Sequence, residues 1–245
     1  SALDPQAIID AVAALAPDVV VHLATHFLAT HDPTDIPALV RTNVEWGTVL
    51  AEAAARSGAR LVTVESAWQH VGGADYAPVS LYAATKQAFA DVCEYYAQVH
   101  GLDVRSVTLF DTYGPGDSRP KLVPTLLRAA REARALDMSD GLQLIDLTYV
   151  DDVARGIVDV ALAKAPVRTS VLRSWAPVTV RELVRAVEGV VGGSLDLRWG
   201  VRPERSREMR TDWVFGVPLA GWQPAVSLPE GLRRTWSAML GEAAR

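Results

Sequence analysis

Leu61-Val62-Thr63-Val64, a helical run over residues 80–99, and then Val104-Arg105-Ser106-Val107-Thr108-Leu109 form the stretch that decides the fold. The first segment is short, β-branched and largely apolar, the signature of a parallel strand covered on both faces, and the last reads again as a strand. Between them Tyr82, Lys86, Phe89, Val92 and Tyr96 recur at helical spacing, and His100-Gly101 supplies the stop. Strand, helix and strand in this order require a right-handed crossover and hence a parallel sheet.

Upstream the same alternation continues. Ile8, Ile9, Val12 and Leu15 line one face of a helix over 5–16, Pro17-Asp18 breaks it, and Val19–Ala24 reads as another doubly buried strand. A loop ends near Pro37, and a long helix runs through Asn43 to about Arg56, where Ser57-Gly58 stops it. Beyond Gly114-Pro115-Gly116 regular alternation ceases. Helices are expected at 121–136, 151–164 and 179–191, with a turn at Ser139-Asp140-Gly141, strand-like pieces at Val171-Leu172 and Leu195–Trp199, and a Pro- and Arg-rich tail. The expected fold is α/β, a doubly wound parallel sheet with a smaller C-terminal lobe. Residues 1–117 with 148–172 make the sheet domain, and 118–147 with 173–245 the lobe. Ligands of such sheets sit at the carboxyl ends of the strands, here near His22, Ser66 and Asp111.

Composition excludes several classes. A net charge of −5 gives no general affinity for nucleic acid. The apolar runs are too short to span a bilayer, so no membrane partner is expected. Cys93 is the only cysteine, which rules out an internal disulfide and a Cys-based zinc site and fits a reducing, cytoplasmic setting. His22, His26 and His31 straddle a strand end and a loop, and no metal site is expected from them.

The chemistry-bearing pattern is Tyr82-Ala83-Ala84-Thr85-Lys86. Residues four apart share a helix face, so the ammonium favours the phenolate and prepares the tyrosine for proton transfer. Alone, such a pair also fits a half-buried aromatic beside a lysine that runs its stem along the surface. Ser66, sixteen positions upstream at the end of a buried strand, adds a hydroxyl able to hold a substrate oxygen near the phenol.

With this spacing the set resembles the Ser-Tyr-Lys constellation of the extended short-chain dehydrogenase/reductases, the NAD-dependent epimerase/dehydratase family. Val19–Ala24, Thr42–Thr48, Leu109–Pro115, Tyr149–Asp152 and Leu219–Pro224 look like that family's landmarks, in its order. Within the family the chain most resembles nucleotide-linked 4-keto-6-deoxyhexose reductases of the CDP-abequose synthase type. The resemblance implies a Rossmann-like sheet, an NAD or NADP cofactor, a nucleotide-diphosphate sugar substrate and a homodimer formed through the helices around 43–56 and 82–99. It implies Tyr82 as general acid/base, Lys86 as its tuner and holder of the nicotinamide ribose, and Ser66 as a hydrogen-bond partner of the reacting oxygen. His22, Leu23, Ala24, Asn43, Leu109, Asp111 and Thr112 would join Tyr82 and Lys86 around the cofactor. Ser66, Asp111, Lys121, Leu122, Val123, Arg205, Arg207 and Arg210 would meet the substrate, although a solvated basic tail fits those arginines equally.

The pattern departs from the family in three places. The Gly-x-x-Gly-x-x-Gly turn that receives the pyrophosphate has no match, and roughly the first two strand-helix units of the fold are expected to be missing from these residues. A fragment of a longer protein, an unobserved segment and a homologue that no longer binds cofactor all fit this. Ala67-Trp68 replaces the acidic pair of the 4,6-dehydratases, which disfavours dehydration. Asp111 stands where many relatives carry Asn, an anion that needs a hydrogen-bonding partner.

Overall fold

Residues 4–164 and 167–243 are described by the computed structural model. In chain order, α1 (Pro5–Leu15) leads to β1 (Val19–His22), then α2 (Ile36–Val40) runs through a π-helical turn (Arg41–Glu45) into α3 (Trp46–Ser57). β2 (Arg60–Ser66), α4 (Leu81–His100) and β3 (Val104–Leu109) follow. Then come β4 (Asp111–Tyr113), α5 (Leu122–Glu132), β5 (Leu136–Asp137), β6 (Leu144–Ile145), β7 (Leu147–Tyr149) and α6 (Val150–Leu162). The chain closes with β8 (Thr169–Leu172), β9 (Val178–Thr179), α7 (Val180–Val191), β10 (Leu197–Arg198) and α8 (Leu228–Ala243).

The described residues divide into two compact units. One holds 4–109, 156–164, 167–171 and 214–220, and the other holds 110–155, 172–213 and 221–243. The first unit is built on a sheet of order β1-β2-β3-β8, in which β2 runs parallel to both β1 and β3. Gly58 and Gly101 end α3 and α4 in the left-handed region, at φ 72° and 66°, which a residue with a Cβ enters only at a cost. α3 and α4 enclose Ala51, Ala54, Leu61, Phe89, Cys93 and Tyr96. Their close approach depends on Gly47, where a Cβ would lie 2.5 Å from the Phe89 ring.

Two arginines close the lower edge of this unit. Arg105, buried on β3, donates to the carbonyls of Val160 and Ala163, and Arg60 donates to that of Ala161. Cations thus meet the unpaired carbonyls at the C-terminal end of α6.

The second unit packs α5, α7 and α8 over Tyr113, Leu147 and Tyr149. β4 pairs with β7 in parallel, and β6 with β9 antiparallel. A capping box between Thr179 and Glu182 starts α7. Arg173 is buried and donates to Asp146 at 2.7 Å, to Asp212 and to the Trp213 carbonyl, with its guanidinium 4.3 Å from the centre of the Phe110 ring.

Three expectations change. The strand at 19–24 was read as buried on both faces, but β1 stops at His22 and Val21 is 40% exposed; among the described residues β1 is an edge strand paired with β2. The helix through Asn43 is interrupted by the π-helical turn at 41–45. The tail contains α8, whose Leu228, Leu232, Trp236 and Met239 recur at helical spacing against the second core. Its proline, at the second helical position, does not interrupt the backbone ladder.

Candidate active site

Ser80 caps α4, so Tyr82 lies in the first helical turn, near the positive end of the helix dipole. Tyr82, Lys86, Phe89, Cys93 and Tyr96 follow at spacings of four and three and bury one face of the helix. Tyr82 is 8% exposed and Lys86 3%. The tyrosine ring meets Phe27 edge-on, with centroids 5.0 Å apart, and Trp68 at 6.5 Å. The lysine is therefore no surface residue laid along an aromatic: its ammonium is carried into the unit.

Ser66 ends β2 and caps the short 3-10 turn Ala67–Gln69. Its Oγ accepts from the Trp68 N–H at 3.2 Å, and Gln69 Oε1 accepts from the Ser66 N–H at 2.9 Å. As an acceptor in that contact, the hydroxyl retains its own hydrogen to donate. Gln69, buried, is itself held by Gln87 of α4.

Asn43 sits at the middle of the π-helical turn and spends all its polar capacity within the chain. Its Oδ1 accepts from Thr25 Oγ1 at 3.0 Å and the His26 N–H at 2.7 Å; its Nδ2 donates to the His26 carbonyl at 3.0 Å and Thr85 Oγ1 at 2.9 Å. Thr85 Oγ1 donates in turn to the Tyr82 carbonyl at 2.8 Å. The loop after β1 is thus tied through one amide to the turn of α4 that carries the tyrosine and lysine. π-Helical turns often mark functional sites, since the extra residue re-aims a side chain.

His22, at the end of β1, is 3% exposed, with its ring edge-on to Phe89 at 5.3 Å. Burial, and then the nearby Lys86 charge, push its pKa down to about 4, so it is a neutral imidazole at neutral pH. Leu23 and Ala24 are exposed, and Leu109 closes β3. These residues with Asn43, Ser66, Tyr82 and Lys86 all belong to the first unit.

Asp111, Thr112, Lys121, Leu122, Val123, Arg205, Arg207 and Arg210 belong to the second. Here Asp111 has the partner its sequence position called for: Lys121 Nζ lies 2.9 Å from its carboxylate. Residues 112–119 and Val150 line an open cavity of about 340 Å³. Arg205 pairs with Glu208 at 2.8 Å, and Arg210 with Glu204 and Asp140, while exposed Arg207 takes a left-handed backbone.

Residues 1–170 match the NAD dependent epimerase/dehydratase family. The chain belongs to that family. It is 27% identical over 170 residues to the UDP-glucuronate 4-epimerase of Thermodesulfobacterium geofontis, covering 65% of this chain and 51% of that enzyme. It is 28% identical over 234 residues to the dTDP-glucose 4,6-dehydratase of Streptomyces griseus, covering 89% and 70%. The match thus spans about half the length of the first relative and somewhat more of the second. Among solved structures it resembles MoeE5 in complex with UDP-glucose and NAD, with a TM-score of 0.85, 24% identity, and 99% of this chain and 86% of that one covered. It also resembles the UDP-glucuronic acid 4-epimerase of Bacillus cereus in complex with UDP-glucuronic acid and NAD, with a TM-score of 0.84, 20% identity and coverage of 98% and 79%. At such identities the likeness is one of fold, and it is the Rossmann-type fold expected from the strand-helix alternation.

The sequence reading missed Thr85, Phe27 and Trp68, whose roles depend on contacts across the fold. It also missed Glu65, although a carboxylate in a buried strand beside Ser66 was a visible anomaly.

Proposed function

We propose that the chain forms the catalytic part of an NAD(P)-dependent enzyme that acts on a nucleotide-linked hexose, with Tyr82 as general acid. The finer reading is reduction of a 4-keto-6-deoxyhexose. The observation that carries it is the burial of Tyr82 and Lys86, one turn apart on α4, in the same unit as the strand end that presents the Ser66 hydroxyl.

The residues present suit the nicotinamide end of the cofactor. The Lys86 ammonium makes no hydrogen bond or ion pair among the described residues, so its donors are available to ribose hydroxyls. Neutral His22 at the end of β1 adds no competing charge. When bound, the nicotinamide supplies or withdraws hydride. The chain's part is to handle the proton. Ser66 would donate to the sugar oxygen and align it; Tyr82 would deliver its phenolic proton to that oxygen; and the Lys86 charge, with the N-terminal field of α4, would stabilise the phenolate left behind. Lys121 and the arginines at 205, 207 and 210 would meet the nucleotide diphosphate. For Lys121, Arg205 and Arg210 this requires exchanging their present carboxylate partners, Asp111, Glu208, and Glu204 with Asp140, for phosphate.

Transient oxidation and re-reduction at one carbon is a second reading, favoured by the 4-epimerases among the relatives. Incubation with a nucleotide-linked 4-ketosugar or hexose separates the two. The reductase consumes one equivalent of NAD(P)H per sugar, whereas the epimerase turns over without net cofactor change. Under either reading Tyr82→Phe lowers turnover by about 10²–10⁴-fold with the fold intact. Full turnover in that variant would remove the mechanism.

A further inference from the structure

Glu65 is the one carboxylate of β2, 7% exposed, and neither of its oxygens has a hydrogen-bond partner among the described residues. Strand alternation gives it the face shared by Leu61 and Thr63, and Leu61 packs with Phe89 and Cys93 of α4. The carboxyl therefore points at the helix that carries Lys86. The groups around it are few. From α4 come Lys86, Cys93 and the more distant Asp91; from β3 its register partner Thr108; from its own strand and the following turn Thr63 and Gln69. Neutral His22, whose Nε2 is also unpartnered, shares the field of Lys86 from β1. Thr63 Oγ1 shares a hydrogen bond with Ser106 Oγ at 3.0 Å in which either can donate, and Gln69 accepts from the Ser66 N–H and donates one amide hydrogen to Gln87.

Two states compete for this carboxyl. An anion would gain attraction to Lys86, but it would give up its hydration without a single short hydrogen bond in return. A buried charge of that kind costs several kcal/mol, and attraction compensates only when geometry and hydrogen bonding are good. A neutral acid avoids the cost. It also leaves the Lys86 ammonium as the uncompensated charge of the cluster.

We propose that Glu65 is a positioning residue held as a neutral carboxylic acid, coupled to Lys86, and that this neutrality reserves the ammonium's field for the Tyr82 phenol. Loss of the Glu65 proton to solvent would set an anion beside Lys86 and cancel that field. Burial raises the Glu65 pKa, and Lys86 and the neighbouring Gln69 and Thr63 side chains oppose it only in part, which agrees with the geometry. The consequence for catalysis rests on the proton-transfer role given above to Tyr82 and Lys86; the state of Glu65 does not.

Infrared spectroscopy and denaturation of the full chain test the proposal without any turnover. At neutral pH the wild type should show a carboxylic-acid carbonyl band that Glu65→Gln lacks, and in Lys86→Met that band should persist to higher pH, because the charge favouring the anion is gone. Glu65→Gln should raise the denaturant midpoint at neutral pH. The sign follows from linkage: the native pKa lies above the ordinary carboxylate value of 4.5, so the penalty of burying Glu65 acts above that pH and disappears below it, and the gain should disappear with it. If turnover is established, Glu65→Gln should keep it at neutral pH and move its alkaline limit upward. A lower denaturant midpoint for Glu65→Gln at neutral pH, or no acid band in the wild type, would show an ion-paired carboxylate and overturn the proposal. A band whose titration ignores Lys86→Met would overturn the coupling.

Discussion

Replacing Asn43 with alanine is the most direct probe of how the site is held. The side chain is 1% exposed and makes four hydrogen bonds, all to groups distant in sequence. They do not count equally. Thr25 is exposed, so water takes the place of that bond at almost no cost. His26 is half-buried and loses partners for both its N–H and its carbonyl, while Thr85 is buried but keeps its bond to the Tyr82 carbonyl. At about 1 kcal/mol per net bond, and somewhat more where a buried group is orphaned, the three inner bonds amount to about 2–4 kcal/mol. Urea denaturation should show this as a lower midpoint with an unchanged slope. Asn43→Asp gives a second reading of the same geometry. Its carboxylate would face the His26 carbonyl and Thr85 Oγ1 in place of a donor, so its folded-state pKa would rise above the ordinary value of about 3.9. Its destabilisation should therefore be present at neutral pH and fade as pH falls toward that value. A loss under about 0.5 kcal/mol for Asn43→Ala would mean that water or a shifted backbone replaces the amide without cost, and the role of the π-helical turn would have to be abandoned.

Gly47→Ala places a methyl against the fully buried Phe89 ring, and overpacking should outweigh the better helix propensity of alanine by about 1–2 kcal/mol; a stabilised variant in thermal denaturation would show that the α3–α4 contact yields. His22, buried neutral with a pKa of about 4, contributes stability that is fully present above its ordinary value of 6.5 and lost as pH falls toward 4, up to ~3 kcal/mol. Denaturation series for the wild type and His22→Gln should diverge in that window, and parallel curves would refute the assignment. Asp146→Ala leaves the buried Arg173 guanidinium with only Asp212 and a carbonyl, and should cost about 3 kcal/mol, near the lower end for a broken buried pair; a neutral result by chemical denaturation would show that Asp212 alone suffices.

What the sequence determined by itself was periodic and local. The run Leu61–Val64 specifies a parallel strand because nearly continuous apolar, β-branched side chains leave no face for water, and Val104–Leu109 is legible as its partner from the strand-helix-strand order. Tyr82 and Lys86 were legible as a pair because a helix fixes the geometry of residues four apart. The helix stops at Gly58 and Gly101 were legible because only glycine takes that backbone cheaply. The tertiary structure decided whatever joins residues far apart in the chain. Asn43 meets partners 17, 18 and 42 positions away, Asp111 finds Lys121 10 residues on, and Arg173 reaches back 27 residues to Asp146. No local periodicity encodes such pairs, since hydrogen bonds and ion pairs depend on where the crossovers bring strand ends and helix turns together. The same holds for the environment of Glu65. Its chemistry is set by the water it loses and by the single cation of α4 that it meets, and both are properties of the packed unit.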